Sequence, residues 1–466
     1  MSQIERVRLL HTNDVHSNLD LWPATAAVIQ AELARAAADG CPALYVDAGD
    51  FMEMSDRVCY GTRGEVATLL GAAGCSAFVP GNNELWRNRL DRTSELAAGA
   101  PFPWLCCNLR HTSGQMIRGF RDWALLDAGP VKVGVVGVTA YNPAAAGPMG
   151  LVYLNRNDAV RRAAAAARQA GARVVVLLSH VGLRADREIA SLGLGIDLII
   201  GGHSHEAMAM PEVVAGVHIV QAGMSGEHVG AVTLNLTDRT SEGRLIKVNP
   251  AFSDPATCAL VDTIKQQGEA ALDEVVVTLP APLPHDPLGD SALGRTVAEA
   301  LRRHAGAEVG LATGIVAVRG LAAGPVTRRD LLEAMPSLFA PGLIEGTGAA
   351  LLTLLEEAHC PEICARPAMA AGQRTDGAPI GRVYAAGLTY SYFPHGRNGR
   401  RVVDVKVNGQ PLEFHRVYRI GAPSFMAFPR SGYPGFAGFR EIRTFAPDLV
   451  REVLEGAFRM RWFLTD

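Results

Sequence analysis

The chain has 466 residues, 48% of them hydrophobic and 6% aromatic, which fits a soluble protein with sizeable cores and, by length, two domains. Lysine plus arginine number 44 against 47 aspartates plus glutamates, so bulk charge points to no nucleic-acid or membrane-surface partner. Apart from Lys132, Lys247, Lys265 and Lys406 the cationic side chains are arginines.

The N-terminal MSQIERVRLLHTND has no apolar core behind a basic start, and no run approaches the ~18 apolar residues of a membrane span. The 8 cysteines form no disulfide-like framework. The expectation is a cytoplasmic protein with reduced thiols. Short apolar runs recur at 6–10, 43–46, 77–79, 131–138, 174–178 and 196–200, each followed by polar residues or glycine. Alanine-rich helical stretches lie between several of them, at 24–38 and 158–169. That alternation predicts an α/β architecture with buried strands. A break follows Asn249, then a helix over 259–272, and Pro280–Pro287 reads as a connector. Beyond it a helix over 293–304 opens a mixed α/β region with hairpin signals HGRNGR and VNGQPL. The predicted organisation is a first domain over 1–257, a helix and proline-rich connector over 258–285, and a second domain over 286–466. HCPEIC (359–364) has the residues of a zinc half-site but no second half, so a loop is expected.

Five early strands end in metal-ligand residue types: Asp14 and His16 in HTNDVHS, Asp50 in DAGD, Asn82 in GNNE, His180 in SH, and His203 and His205 in GGHSH. In an open α/β sheet, ligands gather beyond the carboxyl ends of the strands, so these residues are predicted to converge. Singly, each has an ordinary explanation: D-x-H as a surface pair, G-D as a turn, His180 as a core histidine, GGHSH as a polar loop. Five strand-end motifs in one order make that coincidence improbable. Carboxylates, imidazoles and one amide oxygen suit Mn²⁺, Zn²⁺, Fe²⁺ or Mg²⁺ better than soft ions. Seven ligands exceed one ion and fit two, roughly 3.5–4 Å apart, with a shared carboxylate.

LLHTNDVHS, DAGDF, GNNE, LLSHVG and GGHSH resemble the ordered motifs of calcineurin-like metallophosphoesterases, specifically the branch of 5'-nucleotidases, UDP-sugar hydrolases and 2',3'-cyclic-nucleotide phosphodiesterases. VHIVQAGMSGEHVGAVTLNL resembles the strand pair after that branch's last histidines, and AGPVTRRDLL and APSFMAFPRSGYPGF resemble its C-terminal substrate domain. The resemblance implies a four-layer β-sandwich flanked by helices, followed by an α/β substrate-binding domain. It implies one metal held by Asp14, His16, Asp50 and His205 and another by Asp50, Asn82, His180 and His203, with Asp50 bridging. It implies hydrolysis of a phosphoester, with Mn²⁺ the first expectation for the two ions.

The family's usual third motif is Gly-Asn-His-Glu with an aspartate three residues after the histidine, a pair that assists the leaving group. Here Asn83 and Trp86 stand at those positions, so Asn83 and the bridging Asp50 are the candidate catalytic residues that remain. The resemblance extends to a signal-less bacterial subgroup with GNNE in place of GNHE. In the second domain Phe425 matches one aromatic of the family's base sandwich, Phe339 is a stand-in for the other, and Arg319 matches a phosphate-contacting arginine. Ser431 occupies the place of the ribose aspartate. Core packing is the alternative for both phenylalanines.

The expected function is a two-metal phosphohydrolase acting on a small phosphorylated, nucleotide-like substrate, with no nucleic-acid polymer or membrane partner. The alternative is a metal-bound ligand-binding or sensor protein with weak catalysis. The sequence leaves the oligomeric state open.

Overall fold

The computed structural model describes residues 6–53, 66–86, 90–142, 146–368, 377–393, 401–428 and 432–461. The predicted hairpin HGRNGR and Ser431 lie outside them. The chain forms two compact units, Met1–Glu269 and Ala270–Asp466.

In the first unit, β1 (Arg6–Thr12), β2 (Ala43–Asp47) and β3 (Cys75–Phe78) run parallel in a seven-stranded sheet. Next to β1 in that sheet runs the antiparallel strand His228–Asn235. A six-stranded sheet is centred on β4 (Val131–Thr139), β5 (Val174–His180) and β6 (Leu198–Gly201), also parallel. Alternate residues explain why the two sheets stack. Val7, Leu9, Val46 and Ala77 from one meet Val133, Val135, Val174, Val176 and Leu178 from the other in one buried cluster. The intervening residues Val136, Val138, Val175 and Leu177 face outward and pack under Val160, Ala163 and Ala167 of helix α1 (Arg156–Gln169). Parallel strands buried on both faces are continuous apolar runs, as the sequence has them. The helix Trp22–Ala38 covers the outer face of the first sheet and completes four layers. It begins two residues before the predicted 24–38, because Pro23 is tolerated in a first helical turn.

The second unit is built on a five-stranded sheet whose central strands are Val309–Thr313, Val417–Pro423 and Pro341–Thr347. The helix Ala292–His304 packs on it, capped by Ser291 Oγ accepting from Gly294 N at 2.7 Å. Asn408 and Gly409, both at positive φ, turn the predicted VNGQPL hairpin. The segment read as a connector differs from expectation. The strand Val275–Leu279 pairs with Gly324–Thr327, Leu283 exchanges 2.9 Å backbone bonds with Leu321, and His285 Nε2 lies 3.0 Å from Gly314 O. Proline content marked it as irregular, but these bonds pin Pro280–Pro287 to the second unit. HCPEIC also differs: it holds a short helix, Pro361–Cys364, with the Cys364 thiol directed to Ala358 O at 3.3 Å. Among the described residues the cysteines are free thiols, and no helix is long and apolar enough to cross a membrane.

Candidate metal centre

The loops after β1 and β2 are laced together by backbone bonds, Asp14 N to Gly49 O at 2.8 Å, His16 N to Asp50 O at 3.0 Å and Ser17 N to Phe51 O at 2.8 Å. The lacing holds unfavourable backbone. Asp14, His16, Asp50, His203 and His205 have φ of 52°, 49°, 52°, 75° and 61°. Left-handed backbone costs an L-residue on the order of 1 kcal/mol, so five such residues at one place mark a site built for a purpose. Two glycines permit the approach of the loops. A Cβ on Gly81 would lie 2.1 Å from Asp50 Oδ1, and one on Gly49, at φ 91°, would lie 2.9 Å from His180 Nδ1.

The predicted ligands converge in two groups. Donor atoms of Asp14, His16 and His205 lie within 4.8 Å of one another, and so do those of Asp50, His180 and His203. His16 Nε2 and His205 Nε2 are 3.1 Å apart and stand 3.7 Å and 3.4 Å from Asp14 Oδ1. The other Asp14 oxygen is taken by Asn13 Nδ2 at 2.7 Å and His203 N at 2.9 Å. His180 lies wholly buried, its Nδ1 2.8 Å from Ala48 O; a carbonyl only accepts, so Nδ1 carries a proton and Nε2 is the nitrogen left to take up a second proton or a cation. Asp14 Oδ1, Asn82 Oδ1 and His180 Nε2 are buried without a hydrogen-bond partner among the described residues. Such atoms are costly to leave unsatisfied, and each is a predicted ligand atom. This donor set fits divalent cations.

The electrostatics agree. Burial opposes charge on Asp50, yet the His180 imidazole and the Asn83 N–H hold its carboxyl below the ordinary value. Burial pushes His180 down, but Asp50, 3.3 Å away, outweighs it and brings the imidazole to about 10. The cavity thus pulls positive charge onto Nε2, a demand a divalent ion also meets. Burial and the neighbouring His180 lower His203, whereas the Asp14 carboxylate raises His205.

Two supports were not singled out as site residues from the sequence. Glu84, fully buried, accepts from the backbone N–H of Asp50 at 3.0 Å, Met52 at 2.9 Å and Gly81 at 2.8 Å. Burial, with Asp50 nearby, pushes its carboxyl up to about 8. Asn13 ties Asp14 to the strand-end segment at 222–223, accepting from Ala222 N and donating to Gly223 O. Both sit inside the motifs HTND and GNNE, which is the signal that identifies them.

Asn83 is buried, and its side-chain amide lies 3.2 Å from Asp50 Oδ2 and 3.3 Å from His16 Nδ1. It is directed at ligand side chains. Trp86, at the second position of the missing pair, packs on Tyr153 at a ring separation of 5.9 Å and has no proton to relay at working pH.

In the second unit the expected substrate residues are otherwise engaged. Phe339 and Phe425 are buried in its core with ring centroids 4.7 Å apart, tilted by 48°. A base between two rings needs a gap of roughly 7 Å, twice a carbon contact distance, so in this arrangement the pair packs on itself and forms no sandwich. Arg319 pairs with Glu333 at 3.0 Å and Asp330 at 3.5 Å, which offsets the charge expected to meet a phosphate.

Residues 7–207 match the family described as calcineurin-like phosphoesterase, and residues 273–438 match the 5'-nucleotidase C-terminal domain. The chain is a calcineurin-like phosphoesterase with a 5'-nucleotidase C-terminal domain. Similar proteins span most or nearly all of its length. It is 24% identical over 463 residues to the Bacillus subtilis protein "Uncharacterized metallophosphoesterase YunD", covering 97% of this chain and 98% of that one. It is 25% identical over 426 residues to "Protein UshA" of Yersinia enterocolitica, covering 78% and 74%. In fold it matches the Haemophilus influenzae NAD nucleotidase (NadN), with a TM-score of 0.65 at 17% identity over 98% of this phosphoesterase and 96% of that chain.

Proposed function

We propose that this phosphoesterase is a two-metal hydrolase of small nucleotide-like phosphates, with Mn²⁺ as its working ion and the cytoplasm as its compartment. Asp14, His16, Asp50 and His205 would hold one ion, and Asp50, Asn82, His180 and His203 the other. The observation that carries this reading is the set of three buried, unpartnered ligand atoms, Asp14 Oδ1, Asn82 Oδ1 and His180 Nε2. When bound, such a pair supplies a nucleophile and neutralises phosphoryl charge.

The chain's own residues set the limits. Asn83 steadies Asp50 and His16 but has no proton to give a departing oxygen. Loss of a general acid costs about 10²–10⁴ in rate, most for a poor leaving group such as a ribose alkoxide. A phosphate leaves without that help. The favoured substrates are therefore phosphoanhydrides or other activated esters ahead of simple nucleoside monophosphates. The purified chain in excess Mn²⁺ is tested on a nucleoside diphosphate sugar, a 2',3'-cyclic nucleotide, AMP and an aryl phosphate. Turnover abolished by Asp50→Ala supports the reading, and AMP hydrolysed much faster than the rest contradicts the leaving-group bias.

A second reading, a ligand-binding protein with weak catalysis, is favoured by Asn83 together with the closed Phe339–Phe425 pair. Tight binding without turnover on the same panel selects it.

A further inference from the structure

A second cavity, of about 500 Å³, shares a wall with the metal centre through His203. That volume is within the range of small-ligand sites. Its other walls come from the ends of β4 and β5 and from the start of α1. One wall is fixed to the metal loop. Asn108 donates to Thr139 O at 2.9 Å and accepts from Thr139 N at 3.1 Å, and Thr139 Oγ donates to Pro80 O at 2.8 Å, two residues before Asn82. Movement of this wall would disturb the loop that carries Asn82, so the cavity has a fixed register with the candidate metal centre.

The lining has one sign of charge. Arg156 is its guanidinium, no carboxylate lines it among the described residues, and apart from the His203 imidazole the other polar walls are amides and hydroxyls. Arg156 Nε donates to Asn157 Oδ1 at 3.2 Å, which leaves the Asn157 NH₂ as a further donor beside the guanidinium. The carboxylate that pairs with Arg156, Glu188, is 3.4 Å away, and its side chain is 54% exposed. Such an exposed pair is worth little, so an anion competes with it readily.

We infer that this cavity holds the phosphoryl group that departs with the leaving group of a phosphoanhydride, with Arg156 as its counter-ion. The inference rests on the hydrolase reading above. It also accounts for a reaction without a general acid: the departing phosphate needs no proton, only a partner for its charge.

The test compares ADP with an aryl phosphate, which has no second phosphoryl group, using the full chain in excess Mn²⁺. Arg156→Ala is expected to raise KM for ADP about tenfold, the size of one charge-assisted hydrogen bond, and to leave aryl phosphate kinetics unchanged. Arg156→Lys is expected to recover part of the loss, and Glu188→Gln to leave KM for ADP no higher than in the wild-type chain. An unchanged KM for ADP in Arg156→Ala, or equal losses on both substrates, would overturn the assignment. Titration with the methylene analogue of ADP decides it without turnover. Binding about tenfold weaker in Arg156→Ala, with inorganic phosphate binding unchanged, supports the site, and equal affinity overturns it. A wild-type chain that binds the analogue through Arg156 yet hydrolyses neither substrate would refute the hydrolase reading and leave the site standing.

Discussion

Asn83 contacts both oxygens of Asp50: its backbone N–H donates to Oδ1 at 2.8 Å, and its side-chain amide reaches Oδ2 at 3.2 Å. The residue that replaces the family's histidine thus supports the carboxylate proposed to bridge the ions. Two predictions separate its roles. Asn83→Ala is expected to weaken Mn²⁺ binding about 10-fold or more, as loss of an outer support does. The double change Asn83→His with Trp86→Asp is expected to raise AMP hydrolysis at least tenfold and to change phosphoanhydride hydrolysis little. Competition with a metal indicator and steady-state kinetics measure the two, and an unaltered ratio of AMP to anhydride rates in the double variant would contradict the leaving-group argument.

Glu84 holds three backbone N–H groups of the loops that carry Asp50 and Asn82. Glutamine presents one oxygen where the carboxylate presents two and turns its NH₂ toward a donor. Glu84→Gln is expected to cost about 1–3 kcal/mol of stability and 10–100-fold in Mn²⁺ affinity. Thermal unfolding of the chelated protein and metal titration check this; loss of stability with full metal affinity would show that Glu84 supports the fold alone.

Phe425 packs on Phe339 in the core of the second unit. Phe425→Ala is expected to destabilise that unit by about 3–5 kcal/mol. If Phe425 stacked on a base, the variant would instead keep its stability and raise KM for nucleotides relative to an aryl phosphate.

Asp186 is buried against Ser179 and Gln221, and burial pushes its carboxyl from 3.8 up to about 7. An acid raised on folding stabilises fully only below its unfolded value, and that contribution is lost as pH rises through about 7. In the chelated protein, Asp186→Asn is therefore expected to gain stability relative to the wild-type chain as pH climbs from about 4 to about 8. A pH-independent difference in melting temperature would show that the carboxyl is already ionised at low pH.

The convergence of the candidate metal ligands was legible because each stands where a buried apolar run stops, and parallel sheets bring such ends together. His180 closes a seven-residue strand with every residue buried, a pattern visible as VVVLLSH. Asn83 was legible as a substitution, but the direction of its amide depends on Asp50 and His16, far away in sequence. The charge of Arg319 was offset by Glu333, fourteen residues on, a pairing that no local pattern marks. The proline-rich segment at 280–287 had the composition of a linker, and only its bonds to Leu321, Gly314 and Ser291 reveal that it is fastened. Arg156 stands two residues before the predicted helix over 158–169, at a position no sequence motif marks.

The central claim is tested most directly by counting ions. Elemental analysis of the chain equilibrated with excess Mn²⁺ and desalted is expected to give two ions per chain, falling to one or none in Asp50→Ala. One ion or none in the wild-type chain, with metal plentiful, would contradict the account.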